Sequence, residues 1–244
     1  MHGRSILAHV HDRARRIRGF ERVLVATDDE RIAAEVRRLG GEVVLTSAGH
    51  VSGTDRIGEV LDGLSPPPDI VVNLQGDEPL LSPRAVERML EAMRRQPDAI
   101  WTLADRIRTA EEFARPSVTK VVCAADGRAL YFSRAPVPHP RMPAAGETPW
   151  SRARRHIGVY GYPRALLRAF LAAPPSPLEL LEGLEQLRAL ELGITIRVLE
   201  ARWPDAAVDT PEDLARLQKL YPTPEALAAA GADEDEPAGG RIHG

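Results

Sequence analysis

The chain contains a single cysteine among its 244 residues. One thiol, Cys123, excludes an intramolecular disulfide framework and also excludes a zinc site built from cysteines. Its neighbours Val121 and Val122 are apolar, which indicates a buried thiol.

Long apolar runs and a strong charge excess are also missing. No stretch approaches the ~18 residues that a membrane span requires, and the N-terminus lacks the long apolar core of a signal peptide. The formal net charge of -3 gives no support for general binding to nucleic acid or to membrane surfaces. With 43% hydrophobic and 27% charged residues, the composition fits an ordinary globular α/β protein. We therefore predict a cytoplasmic protein with neither nucleic acid nor membrane as a partner.

Three common signatures of nucleotide-binding proteins and hydrolases are absent. The sequence has neither G-x-G-x-x-G nor G-x-x-x-x-G-K-[ST], so neither a dinucleotide site nor a P-loop is indicated. Residues 49–53 place a serine one position too late for the G-x-S-x-G nucleophile elbow. These absences disfavour dehydrogenases, P-loop kinases and α/β hydrolases.

Strand-like and helix-like stretches alternate along the first half of the chain. Four short apolar stretches predict strands: residues 22–26, 42–45, 70–74 and 99–103. The stretches between them have helical periodicity, and this alternation is typical of a doubly wound sheet with helices on both faces. The third stretch has no polar alternation and is followed by Gly76 and Pro79, so we predict a central strand buried on both faces.

The second half of the chain changes character. Residues 120–124 and 129–133 predict paired strands across an Asp126-Gly127 turn. Residues 177–192 predict one helix whose leucines recur at every third position and form a buried stripe.

The remaining stretches define the predicted domain. The proline-rich residues 136–150 predict a long surface loop. We predict a single domain over residues 1–221 and a C-terminal extension over residues 222–244. The acidic and glycine-rich tail is predicted to be disordered from about residue 232.

Two aspartates follow predicted strands. Asp77 comes just after the strand at 70–74, and Asp209 precedes a helix that Thr210 and Pro211 open. Ligands of open α/β sheets bind beyond the carboxyl ends of strands, and Mg²⁺ takes one or two carboxylates plus phosphate oxygens. Two simpler interpretations stay open: Asp77 or Ser82 caps the next helix, and Asp209 is a turn residue near a helix start.

Other polar residues have simpler interpretations too. His156 begins an apolar strand, where a lone histidine is more often structural than chemical, and Tyr160 faces the same side of that strand. Glu185 and Gln186 flank the leucine stripe of the predicted helix, where solvated positions are the ordinary interpretation.

Eight short motifs occur in an order typical of one family. They are V-A-T-D (25–28), S-G-T-D-R (52–56), N-L-Q-G-D-E-P (73–79), L-Y-F-S-R (130–134), H-I-G-V-Y-G-Y (156–162), S-P-L-E (176–179), L-E-Q-L-R (184–188) and V-D-T-P-E-D (208–213). Over roughly residues 3–220 the sequence resembles the 3-deoxy-manno-octulosonate cytidylyltransferases, or CMP-Kdo synthetases. The resemblance implies a nucleotidyltransferase-type, Rossmann-like mixed sheet flanked by helices, with a dimerisation hairpin region in the second half.

The resemblance also implies a reaction. Members of the family transfer CMP from CTP to 3-deoxy-manno-octulosonate (Kdo) and release pyrophosphate, in lipopolysaccharide synthesis, with Mg²⁺ as cofactor and as homodimers. Two alternatives stay open. One is a CMP-sialate (acylneuraminate) cytidylyltransferase, which shares the fold, and the other is a non-catalytic dimer that binds nucleotide or sugar.

The motifs assign roles by position. Asp77 and Asp209 match the family's catalytic magnesium ligands. The residues that match its Kdo pocket are Gln75, Arg134, His156, Tyr160, Glu185 and Gln186. The residues that match its nucleotide-binding loop are Ser52, Gly53, Thr54 and Arg56. The resemblance implies a pocket that offers an acidic polyol both hydrogen-bond partners and a cation.

One departure from the family pattern concerns the start of the sequence. The family begins with a strand and a loop of the type I-P-A-R-x-x-S-x-R-x-P-G-K-P-L around the triphosphate, whereas residues 1–7 here match the segment just after that loop. Loss of that strand is expected to leave unpaired backbone groups on its neighbours. Either the true start lies upstream and the cell makes a full enzyme, or the chain is truly short and a poor catalyst.

Overall fold

The computed structural model describes residues 1–50, 52–142, 144–204, 207–208 and 210–230. Its strands are β1 (Leu24–Thr27), β2 (Glu42–Leu45), β3 (Ile70–Asn73), β4 (Ile100–Arg106), β5 (Lys120–Cys123), β6 (Ala129–Ser133), β7 (Ala153–Pro163) and β8 (Ile196–Glu200). Its helices are α1 (Ile6–Ala14), α2 (Glu30–Arg38), α3 (Gly53–Asp62), α4 (Pro83–Arg95), α5 (Ala110–Ala114), α6 (Arg164–Ala172), α7 (Pro177–Glu182), α8 (Gln186–Glu191), α9 (Pro211–Leu220) and α10 (Pro224–Ala229). Of the helices in these ranges, none has both the length and the apolar composition that a bilayer crossing needs.

The main sheet has six strands and is mixed. Strand β7 pairs antiparallel with β4 along one edge, and with β3 and β5 along the other. Strand β4 also pairs with β8 in parallel, and β6 forms a hairpin with β5. Strands β1 and β2 form a separate parallel pair. The mixed sheet and its flanking helices confirm the predicted α/β fold class.

Both faces of the main sheet are covered by helices. Trp101 and Leu103 of β4 pack in one apolar cluster with residues of α1 and α4. Ile100 and Ala104, which alternate with them, pack in a second cluster with residues of α3, α6 and α8. Because successive side chains of a strand point to opposite faces, a strand between two helical layers is mainly apolar on both faces.

Strand β3 departs from the prediction. Residues 70–74 were expected to form a central strand buried on both faces. Both faces of β3 do pack on apolar clusters, Ile70 and Val72 on one and Val71 on the other, but the residues are only half-buried and β3 pairs with β7 alone, so it is not central. In the described part of the chain, the other edge of β3 and one edge of β1 pair with no strand. An apolar run cannot reveal how many strands flank it, which is why the predicted central position was wrong.

The prediction of one helix over residues 177–192 is also wrong. The structure has two short helices, α7 and α8, and α7 ends at Gly183 with a φ of 62°. Glycine adopts this left-handed conformation without steric cost. Leu181, a member of the predicted buried stripe, is 81% exposed, whereas Gln186 is buried. The turn at Gly183 therefore redirects α8 and brings Gln186 inside.

Helix caps decide between two of the open interpretations. Ser82 caps α4, since its hydroxyl accepts a hydrogen bond from Ala85 N at 3.3 Å, so Asp77 is not the cap. Ser52 caps α3. The expected start of α9 at Thr210 and Pro211 is confirmed.

The hairpin prediction is confirmed, because β5 pairs with β6 across a turn in which Gly127 has a φ of 82°. Burial raises the pKa of Cys123, at the end of β5, to about 11. Residues 136–142 and 144–150 contain neither helix nor strand, in agreement with the predicted surface loop.

Helix α10 lies in the predicted C-terminal extension, yet it packs on the domain. Leu227 is buried in a cluster with Met1, Leu80 and Leu217. Arg13 donates a hydrogen bond to Leu227 O at 2.7 Å. The predicted disordered tail lies outside the described residues.

We expect Gly161→Ala to lower the free energy of unfolding by about 1–3 kcal/mol, because an added methyl group overpacks the core. A Cβ at Gly161 would lie 2.2 Å from Met93 Sδ and 3.3 Å from Met89 Cε. Both methionines are fully buried between α4 and β7. Urea unfolding followed by circular dichroism measures the effect. Gly63→Ala is the control, because its added methyl group would only reach 3.6 Å from Val60 O. Equal unfolding midpoints for the two variants would contradict this packing.

Candidate functional site

A cleft of about 240 Å³ opens beside the carboxyl end of β3, between β7, the start of α3 and the start of α8. Its lining residues are Gly53, Thr54, Asn73, Gln75, His156, Gly158, Tyr160, Tyr162, Leu184, Glu185 and Gln186. Seven of these were predicted as site residues: Gly53, Thr54, Gln75, His156, Tyr160, Glu185 and Gln186. The structure thus gathers residues that lie more than 130 positions apart in the sequence into one concave site.

Alternate residues of β7 form one wall of the cleft. His156, Gly158, Tyr160 and Tyr162 all line it, as the two-residue repeat of a strand requires. The sequence reasoning used this repeat for Tyr160 but missed Gly158 and Tyr162, which the same repeat would have found. Gln75 Nε2 donates a hydrogen bond to Gly158 O at 3.2 Å, which holds Gln75 against this wall.

The rings along this wall contact one another. The ring centroids of Phe132 and His156 are 5.1 Å apart, those of His156 and Tyr160 are 5.3 Å apart, and those of Tyr160 and Tyr162 are 5.7 Å apart. Burial lowers the pKa of His156 to about 3, so its imidazole is neutral at physiological pH. Burial also raises the pKa of Tyr160 and of Tyr162, which stay neutral phenols. The rings of this wall are therefore neutral.

Glu185 is the acidic group of the cleft. Burial raises the pKa of its carboxyl group, while hydrogen bonds from Thr54 and Ser52 act in the opposite direction. The two hydroxyl groups belong to the start of α3, so they join that helix to α8. Thr54 also bonds the Tyr162 hydroxyl. Glu185 is thus hydrogen-bonded by its neighbours. The helical pattern had suggested a solvated side chain, which the structure does not show.

Two polar atoms of the cleft are buried without a hydrogen-bond partner in the described part of the chain: the Tyr160 hydroxyl and Gln186 Nε2. A buried polar group with no partner costs roughly 1–3 kcal/mol. A ligand with several hydroxyl groups would satisfy both atoms. The site is therefore suited to a polyhydroxylated molecule.

An ion pair behind the cleft fixes α8 on α7. Arg188 of α8 donates to both carboxylate oxygens of Glu179 on α7, and its guanidinium lies 4.5 Å from the ring centroid of Phe170. Glu179 also bonds the backbone of Ser176, which caps α7. This network holds Glu185 and Gln186, just before Arg188, against the sheet.

The loop of Asp77 contacts the segment that leads to Asp209. Val208 N donates a hydrogen bond to Asp77 O at 3.0 Å, and Trp203 Nε1 donates to Glu78 Oε2 at 3.3 Å. Asp209 itself lies outside the described residues. Because Val208 is its immediate neighbour, the two predicted metal ligands belong to segments that are hydrogen-bonded together. One carboxylate from each segment, completed by substrate oxygens, suits Mg²⁺.

Across residues 1–230, apart from the few positions not described, no group of three or more His, Cys, Asp or Glu is placed to bind a metal.

Besides Asp77, three predicted residues with described positions lie outside the cleft lining. Arg134 is exposed, and its guanidinium donates to Glu182 O at 2.9 Å and to Gly183 O at 3.3 Å. Arg56 pairs with Asp28 at 3.2 Å, beyond the carboxyl end of β1. Ser52 reaches the cleft only through Glu185. The described lining thus contains no arginine or lysine, so the expected cation is not among the residues brought together.

Comparisons with known proteins agree on one family. A family model described as "Cytidylyltransferase" matches residues 1–196, and the chain belongs to this family. The chain is 50% identical to the 3-deoxy-manno-octulosonate cytidylyltransferase of Anaeromyxobacter sp. (strain K), covering 94% of this chain and 89% of that protein. It is 42% identical to the same enzyme of Thermodesulfovibrio yellowstonii, covering 90% of this chain and 89% of that protein. The resemblance inferred from the motifs is therefore confirmed.

Solved structures give the same result. A structure of CMP:2-keto-3-deoxy-manno-octonic acid synthetase in complex with CTP matches with a TM-score of 0.82 and 42% identity, covering 89% of this chain and 88% of that chain. A 4-diphosphocytidyl-2C-methyl-D-erythritol synthase from Anaerococcus prevotii matches with a TM-score of 0.57 and 14% identity, covering 94% of this chain and 86% of that chain. The second match, at so low an identity, concerns the fold alone.

We expect Glu185→Gln to stabilise the ligand-free protein near neutral pH, because an amide avoids the cost of burying a charge. Since burial raises the pKa of Glu185 above 4.5, the folded protein binds this proton more tightly than the unfolded chain. Wild-type stability should therefore rise relative to the variant as pH falls from the raised pKa towards 4.5. Urea unfolding of both proteins between about pH 5 and pH 8 measures the difference.

The control is Glu225→Gln, which changes an exposed glutamate at the start of α10. A stability difference between wild type and Glu185→Gln that is independent of pH would show that the carboxyl group is not buried as described.

Proposed function

Because the chain belongs to the cytidylyltransferase family, we propose that it transfers CMP from CTP to Kdo, makes CMP-Kdo for lipopolysaccharide synthesis, and releases pyrophosphate. The observation that carries this proposal is the cleft beside Asp77, whose buried Tyr160 hydroxyl and Gln186 amide have no partner among the described residues. The relatives from Anaeromyxobacter and the CTP complex support the choice of nucleotide and sugar, because their names specify them.

In the proposed reaction the anomeric hydroxyl of Kdo attacks the α-phosphorus of CTP. A phosphorus–oxygen bond to the sugar forms, the bond to the bridging oxygen of pyrophosphate breaks, and the hydroxyl proton leaves to solvent. The protein needs no covalent intermediate, so its contribution is to position the two substrates. Gln75, His156, Tyr160 and Gln186 would hold the sugar through neutral hydrogen bonds, and Glu185 would accept from its hydroxyl groups.

The nucleotide and the cation would occupy the neighbouring edge of the site. Ser52, Gly53 and Thr54 at the start of α3, together with Arg56, would form the cytidine side. Asp77 and Asp209 would hold Mg²⁺. When bound, this ion would neutralise phosphate charge and lower the pKa of the attacking hydroxyl.

We expect Asp77→Asn to reduce the rate of pyrophosphate release from CTP and Kdo by about 100-fold, because it removes a metal ligand. Loss of a group that merely hydrogen-bonds a metal ligand already costs roughly 10–100-fold in metal affinity or activity. The control is Asp69→Asn, which changes an exposed aspartate just before β3. Removal of Mg²⁺ with EDTA should abolish the activity of the wild type and of Asp69→Asn, and added Mg²⁺ should restore it.

The assay should use this chain and a fusion that carries a relative's N-terminal strand and basic loop before Met1. Activity in the fusion alone would assign the triphosphate contacts to that loop. N-acetylneuraminate as the preferred acceptor would favour the CMP-sialate alternative. If both folded proteins bind CTP and Kdo but neither turns them over, the proposed enzymatic activity is contradicted. The non-catalytic dimer that binds nucleotide or sugar would then be favoured.

We further propose a cytoplasmic homodimer formed through residues 133–192. Leu180 and Leu181 of α7 are 72% and 81% exposed, and Leu130 of the edge strand β6, just before this range, is 51% exposed. Helix α7 adjoins the end of β6, where the Ser133 hydroxyl donates to Glu182 Oε1 at 2.7 Å. Exposed leucines next to an unpaired strand edge are typical of a protein interface.

We expect Leu181→Glu to shift the protein from dimer to monomer, because a buried interface would have to accommodate an unpaired charge. Size-exclusion chromatography with light scattering measures the molar mass. Leu220→Glu is the matched control, since Leu220 on α9 is 60% exposed but lies outside the proposed interface. Unchanged mass for Leu181→Glu, or a monomeric wild type, would exclude this interface.

A further inference from the structure

Thr102 of β4 is fully buried and lies behind His156. Its Oγ1 is 3.0 Å from His156 Nε2, 2.8 Å from Val159 O and 3.1 Å from Ile157 O. The hydroxyl group therefore has three neighbours. Whether each neighbour can donate or only accept a hydrogen bond decides where the hydroxyl proton points.

A threonine hydroxyl carries one proton and two lone pairs, whereas a backbone carbonyl only accepts. Thr102 Oγ1 has one proton, which points to the side of the two carbonyl oxygens and is donated mainly to the nearer one, Val159 O at 2.8 Å. His156 Nε2 must then donate its own proton to Thr102 Oγ1. The opposite assignment would leave both carbonyl oxygens facing hydroxyl lone pairs at 2.8 and 3.1 Å with no proton between them. The contacts are consistent only with the tautomer that carries its proton on Nε2.

A β-bulge explains why these carbonyl groups face a side chain. The register between β4 and β7 shifts at this point, because Thr102 pairs with Tyr160 while the next residue, Leu103, pairs with Ile157. The residues of β7 between them have no partner on β4. A bulge interrupts the backbone ladder and re-aims neighbouring groups. The Thr102 hydroxyl replaces the missing backbone donor, a role that valine, its closest analogue in shape, could not fill.

The other ring nitrogen, Nδ1, has no hydrogen bond to any described residue, and His156 lines the cleft. Because burial keeps the ring neutral, Nδ1 retains its lone pair. His156 therefore brings an unused acceptor to the cleft lining that it shares with Tyr160.

We propose that Thr102 is a positioning residue that holds His156 in the Nε2-protonated tautomer, so that Nδ1 selects a hydroxyl group of the sugar at this point of the cleft. A sugar carboxylate is excluded from this position, since it has no proton to donate and would face a bare lone pair. The identity of the ligand rests on the proposed CMP-Kdo synthesis, whereas the tautomer rests on the contacts alone.

The tautomer is measured by nitrogen NMR of ligand-free protein labelled with ¹⁵N-histidine, in which His156→Gln identifies the His156 signals. We expect a protonated, pyrrole-type Nε2 and an unprotonated, pyridine-type Nδ1 that stay unchanged through neutral pH. Thr102→Val should move both shifts towards the averaged values of a ring that exchanges between tautomers. Thr102→Ser keeps the hydroxyl group and should restore the wild-type shifts.

A protonated Nδ1 in the wild-type protein would overturn the proposal without any variant. So would wild-type shifts in a Thr102→Val protein with native circular dichroism. In the activity assay, Thr102→Val should raise the KM for Kdo by about 10-fold and leave the KM for CTP unchanged, because one neutral hydrogen bond to the sugar is weakened. Absence of turnover in every protein would contradict the proposed function, and the NMR result would still decide the tautomer.

Discussion

Backbone pairing along both edges of β7 is the interaction on which the rest of the structure depends. Strand β4 occupies one edge, while β3 and β5 share the other. Because side chains alternate along a strand, this pairing also fixes which residues meet the cleft and which meet α4. Tyr160 faces the ligand site, and the adjacent Gly161 lets the methionines of α4 approach the sheet. Recognition and packing thus use neighbouring residues of one strand.

Charged and neutral groups are separated within the site. The wall formed by β7 is neutral, since burial lowers the pKa of His156 and raises that of Tyr160. Asp77, and Arg56 with its partner Asp28, belong to segments that do not form this wall. Neutral hydrogen bonds suit the hydroxyl groups of a sugar, whereas phosphates require cations. The division matches the two substrates of the proposed reaction.

Two irregularities of the backbone shape the site. The left-handed turn at Gly183 ends α7 and redirects α8, which brings Gln186 inside. The bulge opposite Thr102 frees two carbonyl groups that a side-chain hydroxyl then satisfies. Neither irregularity follows a regular helix or strand period, so the periodic pattern of the sequence did not reveal them.

Local features were determined by the sequence itself: the hairpin at Gly127, the caps at Ser82 and Thr210, and the motif order that identified the family. These depend on a few adjacent residues. Only the tertiary structure decided that β3 has an open edge, that Leu181 is exposed, and that the Arg134 guanidinium bonds backbone carbonyls away from the cleft. It also placed Tyr162 beside Thr54. Such features depend on partners distant in the chain, and local periodicity carries no information about which distant segments meet.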